Sequence, residues 1–300
     1  MPDEPLLRGL YVPLVTPFAP SGKVALDAVE RLANEYLDAG AAGIVALGST
    51  GEASALDAAE KQAVVDVCAR VCSSRGAHLV VGAGTNNTAA TIAAVEALRG
   101  TSSLVAALVV VPYYVRPSED GIVAHFEAVA DASPVPLVLY NIPYRTGRVL
   151  SAPNVLRCAA HPNIAGLKQA VGGLDADTLQ ILAGAPRDFA VLCGDDAYIY
   201  PTLLMGGAGA IAAASHLCTE RFVAMTECGL AGKLDDGRAH AEALLPVVQA
   251  GFAEPNPCVF KAALHAQARI PSPDVRLPLL NASEAALQRA MRAVDAASLH

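Results

Sequence analysis

Positive charge is scarce in this chain. Lys and Arg number 21 against 29 Asp and Glu, for a formal net charge of −8, and the only lysines are 23, 61, 168, 233 and 261. Nucleic-acid binding needs a basic footprint, and an anionic membrane surface needs one too, so neither partner is expected. No apolar run approaches the roughly 18 residues of a membrane-crossing helix. The stretch Leu104–Val111 is stopped by Pro112. Met1–Arg8 holds two acids and no apolar signal core. None of the seven cysteines (68, 72, 158, 193, 218, 228 and 258) forms a CxxC pair, and their number is odd. They read as reduced core side chains, which makes the cytoplasm the expected compartment. The glycines match neither a phosphate loop nor a dinucleotide fingerprint. No internal repeat or low-complexity tract is visible, and no cofactor is expected.

What is present is apolar: 53% of residues are hydrophobic and 17% charged. Eight short apolar runs recur along the chain, Leu10–Val15, Gly43–Leu47, Leu79–Gly82, Val105–Val111, Leu137–Tyr140, Ile164–Lys168, Ala190–Cys193 and Gly209–Ala212. They are continuous rather than alternating, as expected of parallel strands covered on both faces. Between them lie helical stretches: Leu26–Ala39, Ala58–Ser73 behind the N-cap candidate Asp57, Thr88–Leu98, Ser118–Ala130, Pro153–Ala160, Asp175–Ala183 and Tyr198–Met205. Strand–helix alternation implies βαβ units and a parallel sheet. Eight such units fit a closed (β/α)8 TIM barrel of about 250 residues better than an open sheet. Beyond Ala214 the strand signals stop, and Phe222–Leu230, Arg238–Ala250, Pro257–Ala268 and Ser283–Ala297 read as helices. The expected division is a barrel over 1–220 and a C-terminal helical extension over 221–300.

Barrel enzymes place their chemistry at the C-terminal ends of the strands. Lys168 ends the sixth run, behind Ile164-Ala165-Gly166-Leu167, whereas the other four lysines lie in stretches that read as loops or polar helix faces. Burial disfavours an ammonium, and a neutral amine can attack a carbonyl to form a Schiff base. The plainer alternative is a strand-end lysine paired with an acid. Tyr140 ends the neighbouring strand, about 5 Å away, and either carries protons or packs the barrel top. Ser49 and Thr50, between Gly48 and Gly51, suit a small anion such as a carboxylate, or merely cap a turn. Arg145 lies in a Pro- and Gly-bearing loop and has the fork that carboxylates fit. Asp195-Asp196 lacks a His or Glu at ligand spacing, so Asp196 reads as the N-cap of the following helix rather than as a metal ligand, and no metal is expected.

These segments resemble the dihydrodipicolinate synthase and N-acetylneuraminate lyase family of class I pyruvate aldolases. The likeness runs through Val15-Thr16-Pro17-Phe18, the GSTGE loop at 48–52, Pro112-Tyr113-Tyr114 with Arg116-Pro117-Ser118, and Leu139-Tyr140-Asn141-Ile142-Pro143. It continues through Gly166-Leu167-Lys168, Gly194-Asp195-Asp196, Gly206-Gly207-Ala208-Gly209 and Asn256-Pro257. The resemblance implies a barrel with a helical C-terminal domain and a homotetramer. It implies that Lys168 condenses with pyruvate and that Tyr140 shuttles protons. Ser49 would link Tyr140 to Tyr114 of a neighbouring subunit. It also places Ser49 and Thr50 on the pyruvate carboxylate with the Ile211 backbone nearby, and Gly194 among the substrate-binding positions.

Arg145 resembles the arginine with which the synthases hold the carboxylate of aspartate semialdehyde, so the expected partners are pyruvate and that aldehyde. Ser49 stands where the synthases usually carry Thr, Gln169 where an acid is frequent, and Tyr144 where a small residue is usual. The alternatives are therefore another pyruvate-dependent aldolase or dehydratase, acting on a sugar acid or a catabolic 2-keto acid, and a keto-acid-binding protein without turnover. Ala53, Ala58 and Ala90 replace polar residues of the family's lysine feedback site, of which Asn86 is kept, so weak inhibition by lysine or none is expected.

Overall fold

The eight apolar runs are eight parallel strands: β1 Gly9–Pro13, β2 Gly43–Ala46, β3 His78–Gly82, β4 Leu104–Val110, β5 Leu137–Asn141, β6 Ile164–Gln169, β7 Ala190–Cys193 and β8 Gly209–Ile211. Each pairs with its successor, and β1 closes on β8 to complete a barrel. The computed structural model describes residues 5–298. The helices that alternate with the strands are α1 Leu26–Asp38, α2 Ala58–Arg75, α3 Thr88–Glu96, α4 Glu119–Ala132, α5 Pro143–Thr146, α6 Ala152–Ala159, α7 Ala176–Gly184 and α8 Ile199–Leu204. Four more follow: α9 Thr219–Leu230, α10 Leu234–Gly251, α11 Cys258–Ala266 and α12 Glu284–Ser298. No helix among the described residues is long and apolar enough to cross a membrane.

Strand side chains alternate between two cores. Tyr11, Val45, Val80, Leu108, Val138 and Leu192 fill the barrel, while Val12, Ile44, Leu79, Val109, Leu139 and Val191 pack outward against the helices. A strand with both faces covered has few positions for a polar residue, and those on β5 and β6, Asn141, Lys168 and Gln169, fall at the strand ends, which is why the runs are continuous. Leu167 on β6 belongs to the outer core and Ala170, one residue past the strand, to the inner one. The two-residue period therefore turns Lys168 inward.

Local signals set most helix ends. Asp57 accepts from Glu60 N while Glu60 accepts from Asp57 N, a full capping box before α2. Asn87 caps α3 and Ser118 caps α4, so Ser118 lies just outside the helix it was expected to open. The C-terminal helices lie tight on the barrel. In the first turn of α10, Gly237 sits so close to α8 that an added Cβ would be 2.2 Å from Tyr200 Cε2. The Tyr200 hydroxyl donates to Leu234 O at 2.8 Å.

Two expectations fail. Asp196 does not cap α8, which has no side-chain cap. Its carboxylate turns inward and accepts from Ala214 N at 2.5 Å. Lys261 is on no polar face: it is fully buried, with Nζ 2.7 Å from Glu52 Oε1 and 3.0 Å from Thr16 O. An ion pair across 209 positions leaves no local pattern.

Candidate active site at the C-terminal mouth of the barrel

A cavity of about 690 Å³ opens at the C-terminal ends of the strands. Ser49, Thr50, Tyr140, Arg145, Lys168, Gly194 and Ile211 all line it. Seven of the eight residues expected to act here are thus brought together. The eighth, Tyr114, is outside the lining, 87% exposed, with a left-handed φ of 70°.

Lys168 and Tyr140 are register partners on β6 and β5. Both are buried, and Lys168 Nζ lies 4.4 Å from the centre of the Tyr140 ring. No described residue, Tyr140 included, forms a hydrogen bond with that nitrogen. Gly194 is the reason the lysine fits: a Cβ there would lie 2.9 Å from Lys168 Cε and 3.0 Å from Cγ. In this structure the glycine provides clearance for the lysine.

Two acids stand behind the lysine. Asp195 accepts from Gly172 N at 2.7 Å, and burial raises its pKa despite that bond and despite Lys168. Burial pushes the Asp196 carboxyl up to about 7, opposed by the Ala214 N–H and Lys168. The sequence quoted these acids in a segment of the family resemblance and otherwise read them as a cap or metal candidate. Among the described residues, no group of three His, Cys, Asp or Glu side chains is placed to hold a metal ion.

Opposite the lysine, the loop after β2 makes a 3₁₀ turn over Ser49–Gly51, passes through a left-handed Glu52, φ 52°, and makes a second 3₁₀ turn over Ala53–Ala55. Four side-chain hydrogen bonds pin it. Thr16 Oγ1 donates to Gly51 O at 2.7 Å, and Lys261 Nζ donates to Glu52. Glu52 Oε2 accepts from Arg276 N at 2.8 Å, and Asn256 Nδ2 donates to Thr50 Oγ1 at 3.0 Å. Asn256 Oδ1 is buried with no partner among the described residues. Sequence reasoning quoted Asn256 in a motif but gave it no role. Ser49 makes no side-chain hydrogen bond to Tyr140 or Tyr114 within the chain.

Arg145 is held on the other wall by the short α5, which begins at Pro143 and is closed by Gly147, φ 68°, just past Thr146. This helix was read from the sequence as a loop. Arg145 and its neighbour Tyr144, 92% exposed, form the outer rim of the cavity.

A closed (β/α)8 barrel with a buried lysine–tyrosine pair at its catalytic end defines a lyase of the Schiff-base class. The chain belongs to the dihydrodipicolinate synthetase family, whose sequence model matches residues 6–297. It is 41% identical over 273 residues to the 4-hydroxy-tetrahydrodipicolinate synthase of Moorella thermoacetica, covering 90% of this chain and 91% of that one. The dihydrodipicolinate synthase of Thermotoga maritima superposes with a TM-score of 0.93 at 29% identity, covering 98% of this chain and all of the other. A chloride-inhibited dihydrodipicolinate synthase from Acinetobacter baumannii, solved in complex with pyruvate, gives 0.93 at 30% identity, covering 98% and 99%.

Proposed function

We infer that this protein is a 4-hydroxy-tetrahydrodipicolinate synthase, condensing pyruvate with L-aspartate 4-semialdehyde through a Schiff base on Lys168. The observation that carries the reading is the spacing of functions around one cavity. A buried amine sits beside a phenol, a hydroxyl loop fits one carboxylate, and a guanidinium at the rim fits a second. Two acidic substrates need two such anchors.

The amine of Lys168 adds to the ketone carbon of pyruvate, and the carbinolamine loses water to give an imine. Loss of a methyl proton makes the enamine, whose carbon attacks the aldehyde and becomes bonded to it. The amino group of the second substrate then attacks the imine carbon, closes the ring and releases the Lys168 amine. Tyr140 carries the protons of addition and dehydration. Ser49 and Thr50 donate to the pyruvate carboxylate beside the Ile211 backbone, and Arg145 holds the carboxylate of the aldehyde. Tyr114, turned out of its own cavity, would enter that of a neighbouring copy in a homotetramer and join Ser49 in relaying protons.

Product formation from the two substrates, coupled to a reductase, tests the reading. Turnover of about 1 s⁻¹ or more is expected. Negligible turnover by protein that still forms a pyruvate adduct would favour a relative acting on 2-keto-3-deoxy acids. Arg145→Ala should leave borohydride trapping of pyruvate intact and raise KM for the aldehyde about tenfold or more, the value of a charged hydrogen bond. Unchanged kinetics would sink the assignment of the second substrate.

A further inference from the structure

We propose that Asn256, from the segment between α10 and α11, is a positioning residue that makes Thr50 a hydrogen-bond donor toward the substrate carboxylate. A hydroxyl has one proton and two acceptor lone pairs. The Asn256 amide donates to Thr50 Oγ1 at 3.0 Å. One lone pair is thereby used, and the Thr50 proton is left for the cavity that Thr50 lines. Turned the other way, the amide would present its oxygen and take that proton, and the loop would lose one donor for an anion.

The arrangement carries a cost that packing alone does not explain. With its NH₂ on Thr50, Asn256 leaves Oδ1 buried and unpaired. A buried orphan acceptor has given up its water without a replacement, which destabilises the fold. Such groups are rare and concentrate where function overrides stability.

The partners are also fixed relative to one another. Two residues from Thr50, Glu52 is locked by the wholly buried Lys261, five residues from Asn256. The same Lys261 holds Thr16 O, and Thr16 holds Gly51 O. This ion pair fastens the loop to α11, so the amide meets the hydroxyl at a set distance rather than by chance of a mobile surface.

The inference rests on the pyruvate reading given above, and the test separates the two. Borohydride trapping is run over a range of concentrations with pyruvate and with methyl pyruvate, which has the ketone but no charge. Asn256→Asp replaces the donor by an acceptor of the same shape, and Asn256→Ala removes it. In both variants the pyruvate concentration for half-maximal trapping should rise about tenfold or more, with methyl pyruvate changed less than about threefold. In the synthase assay KM for pyruvate should rise more than kcat falls. On a Thr50→Val background, Asn256→Ala should add little, because its effect runs through the missing hydroxyl.

Pyruvate trapping by Asn256→Asp as good as that of the wild type would overturn the role of Asn256 and leave the proposed function standing. Equal losses with both ketones would overturn it too, since that is the mark of general damage to the pocket. A wild-type protein that traps neither ketone refutes the pyruvate reading itself, and the role of Asn256 with it.

Discussion

Lys168 and Gly194 are fitted to each other: a Cβ at 194 would come inside van der Waals contact of the lysine stem. The lysine reaches the cavity because the residue opposite has no side chain. Gly194→Ala should push Lys168 off its rotamer toward or away from Tyr140, at a cost of order 1 kcal/mol for an off-rotamer side chain. Adduct formation should slow at least tenfold while the thermal midpoint moves by only a few degrees; an unchanged rate of borohydride trapping would show that the clearance is dispensable. Lys168 was legible in the sequence because a lysine behind an apolar run has few other readings, and Gly194 because it stands just past the next strand in a segment that carries the resemblance. What Gly194 does was not legible. The resemblance placed it among the substrate-binding positions, and it lines the cavity, but a Cβ there would also meet Lys168 and Ala170. A residue whose contribution is an absent side chain gives no chemical signature of its own.

The strands and interspersed helices could be read from apolar runs and from caps such as Asp57, since these are local codes. The short α5 could not, because four residues give no period; a Pro at its first position was the only hint. The ties between elements were least legible. Glu52 and Lys261 are neighbours only once the barrel is closed and α11 is docked. Each then lies out of water, where burial pushes the Lys261 ammonium below its usual pKa while Glu52 opposes the shift. Lys261→Met should strand Glu52 as an unpaired buried charge and cost about 3–5 kcal/mol in denaturant unfolding. The double variant Glu52→Gln/Lys261→Met should recover most of the loss, because no ion is left without a partner. A double variant as unstable as the single would mean that packing of the lysine stem, not charge, is what counts.

The molecule as a whole should respond to pH through a few buried groups pulling in opposite directions. His216 is fixed in one neutral form: Val15 N–H donates to Nε2, and Nδ1 must then donate to Ala213 O. Burial pushes both His216 and His125 down to about 4 from an ordinary 6.5. The unfolded chain binds protons there that the native fold refuses. Their contribution is complete above about pH 6.5 and is lost as pH falls toward 4, roughly 3 kcal/mol for each histidine. Asp196 runs the other way. The fold keeps its proton up to about 7 whereas the unfolded chain releases it near 3.8, so this contribution is lost as pH rises through that range. Replacing it by Asp196→Asn should therefore make the protein gain on the wild type steadily between about pH 4.5 and 7 in thermal unfolding. A constant offset would mean that Asp196, between Lys168 and Asp195, stays ionised throughout. The buried contact of Thr16, Glu52 and Lys261 has a further consequence, for the order of events during synthesis. Its three members come from the first strand's loop, the second strand's loop and a helix near the end of the chain. A nascent chain that has not yet emitted α11 can own every strand of the barrel, yet the loop after the second strand is not fastened. One wall of the cavity therefore sets only after the barrel that carries it.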